Sequence, residues 1–212
     1  MKHRGRILLD DAWRAALDDV AASRDFPSSV DVTDLGAAVA KVSEAYNREG
    51  HDALTTLDRK TALAARTLFF FPRDIAKGWG ATRELARAGL LKKPVLRVLD
   101  LGAGIGAMTW GLAHALADVT TEPMTIEAVL VDADAEALAI AKLVAERRAK
   151  VGSVTVSIRT ERQIAPFSTT VAGGPFDLVI AGQLVSELDR ELDAPDRVKK
   201  HVRLVRSWLE GT

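Results

Sequence analysis

Residues Val95-Leu96-Arg97-Val98-Leu99-Asp100-Leu101 form a short apolar run that opens directly into Gly102-Ala103-Gly104-Ile105-Gly106. Helical periodicity follows over 107–117. A brief apolar run that ends at glycines reads as a buried strand, and glycines there permit a tight turn and a close backbone approach to a ligand. Strand, glycine turn and helix, in that order, constrain the fold more than any other feature of this chain. Downstream the alternation continues. Residues 125–132 read as a second strand, 135–150 as a helix, and 154–160 as a third strand. A fourth strand, 176–181, follows the turn Gly173-Gly174-Pro175, and a last helix runs over about 195–209. Strands alternating with helices imply a parallel sheet with right-handed crossovers.

Upstream of residue 94 the pattern is helical throughout. Leu9, Trp13, Ala16, Leu17, Val20 and Ala21 recur at helix spacing until Pro27-Ser28-Ser29 breaks the chain. A second helix runs from about 34 to 48 and ends near Gly50. A third begins near Asp58 and carries Leu63, Ala64, Leu68, Phe69 and Phe70. Pro72 kinks or restarts it, because proline removes a backbone donor. A fourth covers 74–88 and stops at Gly89, with Gly78 and Gly80 weakening its first half. The expected architecture is α/β: an N-terminal helical region, 1–93, then a Rossmann-like parallel sheet over 94–212.

The 212 residues balance 29 Lys+Arg against 29 Asp+Glu, so no global field draws in nucleic acid or membrane. A polyanion would need a local basic patch. The last helix offers Arg197, Lys199, Lys200, His201, Arg203 and Arg206, and Arg83, Arg87, Lys92 and Lys93 form another group. A solvated helix face explains such clusters more often than RNA contact does. Cysteine is absent, which excludes disulfides, thiolate zinc sites and Cys-ligated clusters within these residues. The four histidines lack ligand spacing, so no metal is expected. No apolar stretch approaches the roughly 20 residues of a membrane span, and the cytoplasm is the default location.

Two carboxylates frame the glycine turn. Asp100 stands two residues before the first glycine, and Asp132 ends the second strand. The second position is where a Rossmann-like site holds a ribose through its hydroxyls. Two ligands compete for such a site. A dinucleotide would set its pyrophosphate on the helix N-terminus. S-adenosyl-L-methionine (SAM) has no phosphate and carries an ammonium and a sulfonium, which suit Asp100 better. The separation of Gly102 from Asp132 also exceeds the roughly 20 residues of the dinucleotide fingerprint. The expected cradle is Asp100, Gly102, Ala103, Gly104, Gly106, Asp132 and the adjoining Ala133. Arg73, after Pro72, is a candidate for the methionine carboxylate.

Residues 98–104, Val-Leu-Asp-Leu-Gly-Ala-Gly, resemble motif I of class I SAM-dependent methyltransferases. Asp132 resembles their ribose-binding acid, and Phe176-Asp177-Leu178-Val179-Ile180-Ala181 resembles their fourth strand. More narrowly, the chain resembles the methyltransferase-like family associated with the small ribosomal subunit, with bacterial and mitochondrial members. Val42-Ser43-Glu44-Ala45-Tyr46 is similar to its helical S-x-x-Y element, and Phe69-Phe70-Phe71-Pro72-Arg73-Asp74 to its aromatic–proline segment. Residues 176–188, ending Gln183-Leu184-Val185-Ser186-Glu187-Leu188, are similar to its strand-and-loop. The resemblance implies SAM as methyl donor and small-subunit ribosomal RNA, or its assembling particle, as substrate or partner. It also implies that Gln163 meets the adenine edge and that Gln183, in the loop after the fourth strand, faces the ligand. The chain departs from that family by lacking its C-terminal cysteine set. A class I fold would continue beyond Thr212 into a fifth strand and an antiparallel pair. The expected sheet therefore ends at strand four with an edge open to a partner chain.

The loop after the fourth strand lacks the Asn/Asp-Pro-Pro-Tyr element of amino-methyltransferases, and no cysteine is available for cytosine-C5 chemistry. Glu187 is a candidate base, with a capping or solvated carboxylate as its bland alternative. Two further readings stay open. One is a non-catalytic SAM-binding assembly factor, and the other is a small-molecule O-methyltransferase with a helical lid.

Overall fold

The computed structural model describes residues 9–27, 32–48, 58–165, 167–168, 171–182, 184–185 and 188–210. Its strands are β1 (Val95–Leu101), β2 (Met124–Asp132), β3 (Lys150–Val151), β4 (Val154–Arg162) and β5 (Leu178–Ala181). They form one sheet in the order β3-β4-β2-β1-β5. β1 pairs in parallel with β2 and with β5, so that Leu99 lies opposite Val129 on one side and Val179 on the other. β2 pairs in parallel with β4. The helices are α1 (Asp11–Ser23), α2 (Val32–Arg48), α3 (Arg59–Ala65), α4 (Phe71–Arg87), α5 (Ala107–Ala117), α6 (Ala135–Arg147) and α7 (Ala194–Glu210). The architecture is Rossmann-like, with N-terminal helices added.

Side chains alternate across a strand, and here both faces are covered. Leu96, Val98, Ile126, Ala128 and Leu130 enter one core with Trp13 and Val20 of α1, Ile75 and Trp79 of α4, Trp110 and Leu112 of α5, and Ile140 of α6. Helices α1, α3 and α4 thus share an apolar interior with the sheet, while Ala38 and Val42 of α2 pack with Ala62 and Ala65 of α3 in a separate cluster. Leu99, Leu101, Val129 and Val131 point the other way, into a smaller cluster with Val171, Phe176 and Trp208 of α7.

Two local features of the helical half have physical causes. Phe71 N–H donates to the Arg66 carbonyl, five residues back, which makes Arg66–Phe70 a π-turn joining α3 to α4. Pro72 follows at the start of α4. It has no N–H and its ring excludes a carbonyl four residues back, and the widened turn accommodates both. Gly78 and Gly111 mark the crossing of α4 and α5. A Cβ on Gly111 would lie 2.4 Å from Trp79 N and 2.5 Å from the Ile75 carbonyl oxygen. Gly78 is therefore a close-packing residue within a regular helix.

The strands differ from expectation at two edges. The helix after β2 stops at Arg147, and Lys150–Val151 folds back as β3, antiparallel to β4. Gly152, at φ +56°, makes that turn, and two residues are too few to show a period. β5 begins at Leu178. Phe176 N–H donates to the Trp208 carbonyl, and the Asp177 carboxylate accepts from Arg97 N–H (2.9 Å) and from Lys93 Nζ (2.6 Å). These two residues pin the entry to the strand instead of extending it.

Candidate functional site

Parallel strands deliver their following loops to one edge of the sheet. β2 and β4 lie to one side of β1 and β5 to the other, so the winding reverses at β1 and a crevice opens beyond its carboxyl end. The glycine turn sits in that position. Gly102, Gly104 and Gly106 take φ of 61°, 53° and 90°, the left-handed region that glycine enters without penalty. Gly106 N–H closes the turn on the Ala103 carbonyl (2.7 Å), and Ala103 N–H ties it to the Val131 carbonyl (3.1 Å).

Asp132 is half-buried against this turn. One carboxylate oxygen accepts from Gly104 N–H (2.7 Å) and the other from Asp134 N–H (2.8 Å). Asp100, Gly102, Ala103, Gly104, Gly106 and Asp132 thus come together as one cradle. Ala133 is exposed beside it, its carbonyl accepting from Arg162 Nε (3.1 Å). Gln163 N–H donates to the Asp132 carbonyl (3.1 Å). Its side chain donates to Glu161 (2.6 Å) and accepts from Ser168 N–H (3.1 Å).

Asp100 has a structural task that its sequence position does not announce. It is wholly buried, and its Oδ2 accepts from Thr109 N–H (3.2 Å) and Thr109 Oγ1 (2.7 Å). It therefore caps α5, whose first residue is preceded by Gly106 with no side chain to do so. Its Oδ1 is buried and has no hydrogen-bond partner among the described residues. Burial, resisted by the two Thr109 bonds and aided by the charge of Asp132, pushes the carboxyl up to about 7. A helix N-terminus ordinarily welcomes an anion. Here a carboxyl group already occupies it, which makes the turn a poor seat for pyrophosphate and a better one for hydroxyls and cations.

A third acid and an arginine complete the site, and sequence reasoning missed both. Asp134 caps α6 through Glu136 N–H (3.0 Å) and Ala137 N–H (3.2 Å). It also accepts from Arg66 Nη1 (2.6 Å) and Arg59 Nη2 (2.9 Å). Burial works against its charge, but the bonds and charges of Arg66, with the Ala137 N–H and Arg59, hold the carboxyl below its ordinary range. A Cβ on Gly104 would lie 3.5 Å from Arg66 Nη2, so this guanidinium rests against the turn. The cap pattern Asp134-Ala135-Glu136 before an apolar helix was readable. The arrival of Arg66 from the π-turn was not.

Arg73 is placed elsewhere than at the turn. Its guanidinium bonds Asp74 (2.9 Å) and stacks 4.7 Å from the Phe70 ring centre and 5.7 Å from that of Phe69. Gln183, Ser186 and Glu187 lie outside the described residues, as does the side chain of Tyr46. The crevice itself holds apolar side chains. Leu184 packs on Gly102, and a Cβ on Gly182 would meet Met108 Cγ at 2.4 Å. The described residues also frame two grooves. One of about 930 Å³ lies between α7 and the segments after β4 and β5, and one of about 520 Å³ runs along α1 beside Leu68 and Pro72. Among the described residues no acid or histidine cluster could hold a metal, and no helix is long and apolar enough to cross a membrane.

No protein-family model matches this chain, and no curated protein matches it significantly. Among solved structures it is similar to the YcgJ protein of Bacillus subtilis, at 19% identity and a TM-score of 0.38. That match covers 61% of this chain and 46% of the other, so the chain spans less than half the length of the structure it matches. What belongs to this chain is a Rossmann-like sheet whose switch-point turn is ringed by Asp100, Asp132 and Asp134.

Proposed function

We propose that this chain binds SAM at the β1 glycine turn and is a SAM-dependent methyltransferase or methyltransferase-like protein. The observation that carries this reading is the buried Asp100 carboxyl, capping α5 through one oxygen while the other has no hydrogen-bond partner among the described residues, directly before a turn that Asp132 grips. An acid there favours a ligand with a cationic end over one with a diphosphate. Asp132 would hold the ribose hydroxyls, the amides of 102–104 would line the ligand, and Gln163 at the end of β4 would meet the adenine edge. Arg66 rests its guanidinium against the turn, and Arg73 remains the candidate for the methionine carboxylate. SAM contributes a methyl group on a sulfonium centre.

The motif resemblance extends the reading to small-subunit ribosomal RNA, or its assembling particle, as substrate or partner in the cytoplasm. β5 pairs with β1 on one side only among the described residues, and a partner chain at this edge belongs to the same proposal. Ligand binding to the native state raises stability. SAM and S-adenosylhomocysteine should therefore raise the melting temperature, and Asp132→Ala should abolish the rise. Stabilisation by nicotinamide dinucleotides alone would overturn the reading. Incorporation of labelled methyl into purified small-subunit RNA tests the substrate.

A further inference from the structure

We infer that the groove between α7 and the segments after β4 and β5 is the methyl-acceptor site, and that His201, oriented by Asp189, takes the acceptor's proton. This inference rests on the methyl-transfer reading. The groove's volume, about 930 Å³, lies within the range of small-molecule sites. Phe167, Leu188 and Leu204 form apolar walls, and Asp189, His201 and Arg203 add polar ones. Two of these walls are continuous with the cradle. Phe167 adjoins Ser168, whose N–H is held by Gln163, which in turn donates to the Asp132 carbonyl. Leu184, packed on Gly102, stands four residues before Leu188. Four residues of chain span at most about 14 Å.

Inside the groove, His201 Nε2 lies 3.0 Å from Asp189 Oδ2, and both side chains are about five-sixths buried. Lys200 bonds the other Asp189 oxygen. That bond, resisted by burial and joined by His201, holds the Asp189 carboxyl below its ordinary range. Asp189 is therefore an anion that accepts from Nε2–H, which leaves Nδ1 as the imidazole's acceptor nitrogen. Asp189 also takes φ +50°, a left-handed conformation uncommon for a residue with a side chain. Backbone strain of this kind concentrates at functional sites. A carboxylate, an imidazole and an open groove in sequence are the parts of a general base. Around this pair the rim is charged in both senses, with Glu191 and Asp196 beside Lys199 and Arg203.

The acceptor is thus a ring-bearing molecule with an ionisable O–H or N–H. Its O–H or N–H proton passes to His201 Nδ1. The lone pair released forms a bond to the methyl carbon of SAM while the carbon–sulfur bond breaks, its electrons staying on sulfur as the neutral thioether of S-adenosylhomocysteine. The imidazolium returns its proton to water. A nucleotide of RNA and a free aromatic acid share this chemistry.

The test titrates uridine 5′-monophosphate and 3,4-dihydroxybenzoate separately into the full chain, with and without S-adenosylhomocysteine, and follows the His201 and Phe167 ring signals by NMR. At least one probe should shift both rings, and the responding probe identifies the source. No shift from either overturns the acceptor site. Labelled methyl from SAM should then reach the responding probe, and binding without transfer overturns the assignment. His201→Gln should lower kcat about 10²- to 10⁴-fold with the KM for SAM unchanged. Asp189→Asn should do likewise, with partial recovery in Asp189→Glu. An unchanged kcat in His201→Gln removes the base. Should the probes bind while S-adenosylhomocysteine does not, the donor reading fails and the groove remains a binding site.

Discussion

The two ends of α5 carry opposite kinds of buried polar group. At its N-terminus Asp100 is an acid held against its own ionisation, its carboxyl pushed up to about 7 chiefly by burial. At its C-terminal end His114 accepts a hydrogen bond from Trp13 Nε1 (3.0 Å), the two rings lying side by side with centres 6.1 Å apart. Burial first, then the charge of Arg148, pushes that histidine down to about 4, against the weaker opposing pull of Asp10 and Asp118. A helix C-terminus ordinarily favours a cation. Here burial overrides the dipole, because a neutral imidazole is what Trp13 can donate to. One end of the helix therefore keeps a latent charge beside the glycine turn. The other stays neutral and fastens α1 to the sheet.

The difference predicts opposite pH responses. Asp100 binds its proton more tightly folded than unfolded. Its contribution is complete below about pH 4 and is lost as pH rises through about 7. His114 binds its proton less tightly folded, so its contribution is complete above about pH 6.5 and is lost as pH falls through about 4. In the wild-type chain the two limbs oppose each other and flatten stability between about pH 4 and 6.5.

Removing either group exposes the other. The largest effect is expected for Asp100→Asn, which keeps an acceptor for Thr109 and cannot ionise. Urea unfolding should lose a decline on the order of 4 kcal/mol between pH 4 and 7, leaving the His114 limb visible as stability that rises with pH. A profile parallel to wild type would mean that Asp100 does not titrate in this window. His114→Gln, which still accepts from Trp13, should remove a rise on the order of 3 kcal/mol between pH 4 and 6.5. The decline due to Asp100 would then stand alone. Trp13→Phe, at constant pH, removes the indole–imidazole bond together with part of a buried ring and should cost about 2 kcal/mol. A loss several times larger would assign the anchor to packing of the indole and not to its N–H.

The two faces of the sheet differ in the same spirit. The face under α4, α5 and α6 is sealed by backbone contact at Gly78 and Gly111 and by three buried tryptophans, Trp13, Trp79 and Trp110. The face under α7 has Trp208 as that helix's fully covered side chain, and the 930 Å³ groove opens there. Segments with few buried contacts have lower local stability and more freedom to admit a ligand. The sealed face holds the glycine turn in place, and the lightly covered face is where the chain leaves open space.

Local pattern determined much of this protein. The β1 run, the three glycines and the acid at the end of β2 set the strand–turn–helix unit, because strand period and left-handed glycines are properties of neighbouring residues. Asp100, Asp132 and the glycines meet at one edge for the same reason, since parallel strands send their following loops to a common end. Tertiary structure decided what depends on distant partners. The π-turn before Pro72 delivers Arg66 to Asp134 across 68 residues. Asp189, in the turn ahead of α7, meets His201 two turns into that helix. Gly78 proves a packing residue because Gly111 faces it. Periodicity reports which face of an element is buried; only the packed chain determines which group waits on the other side.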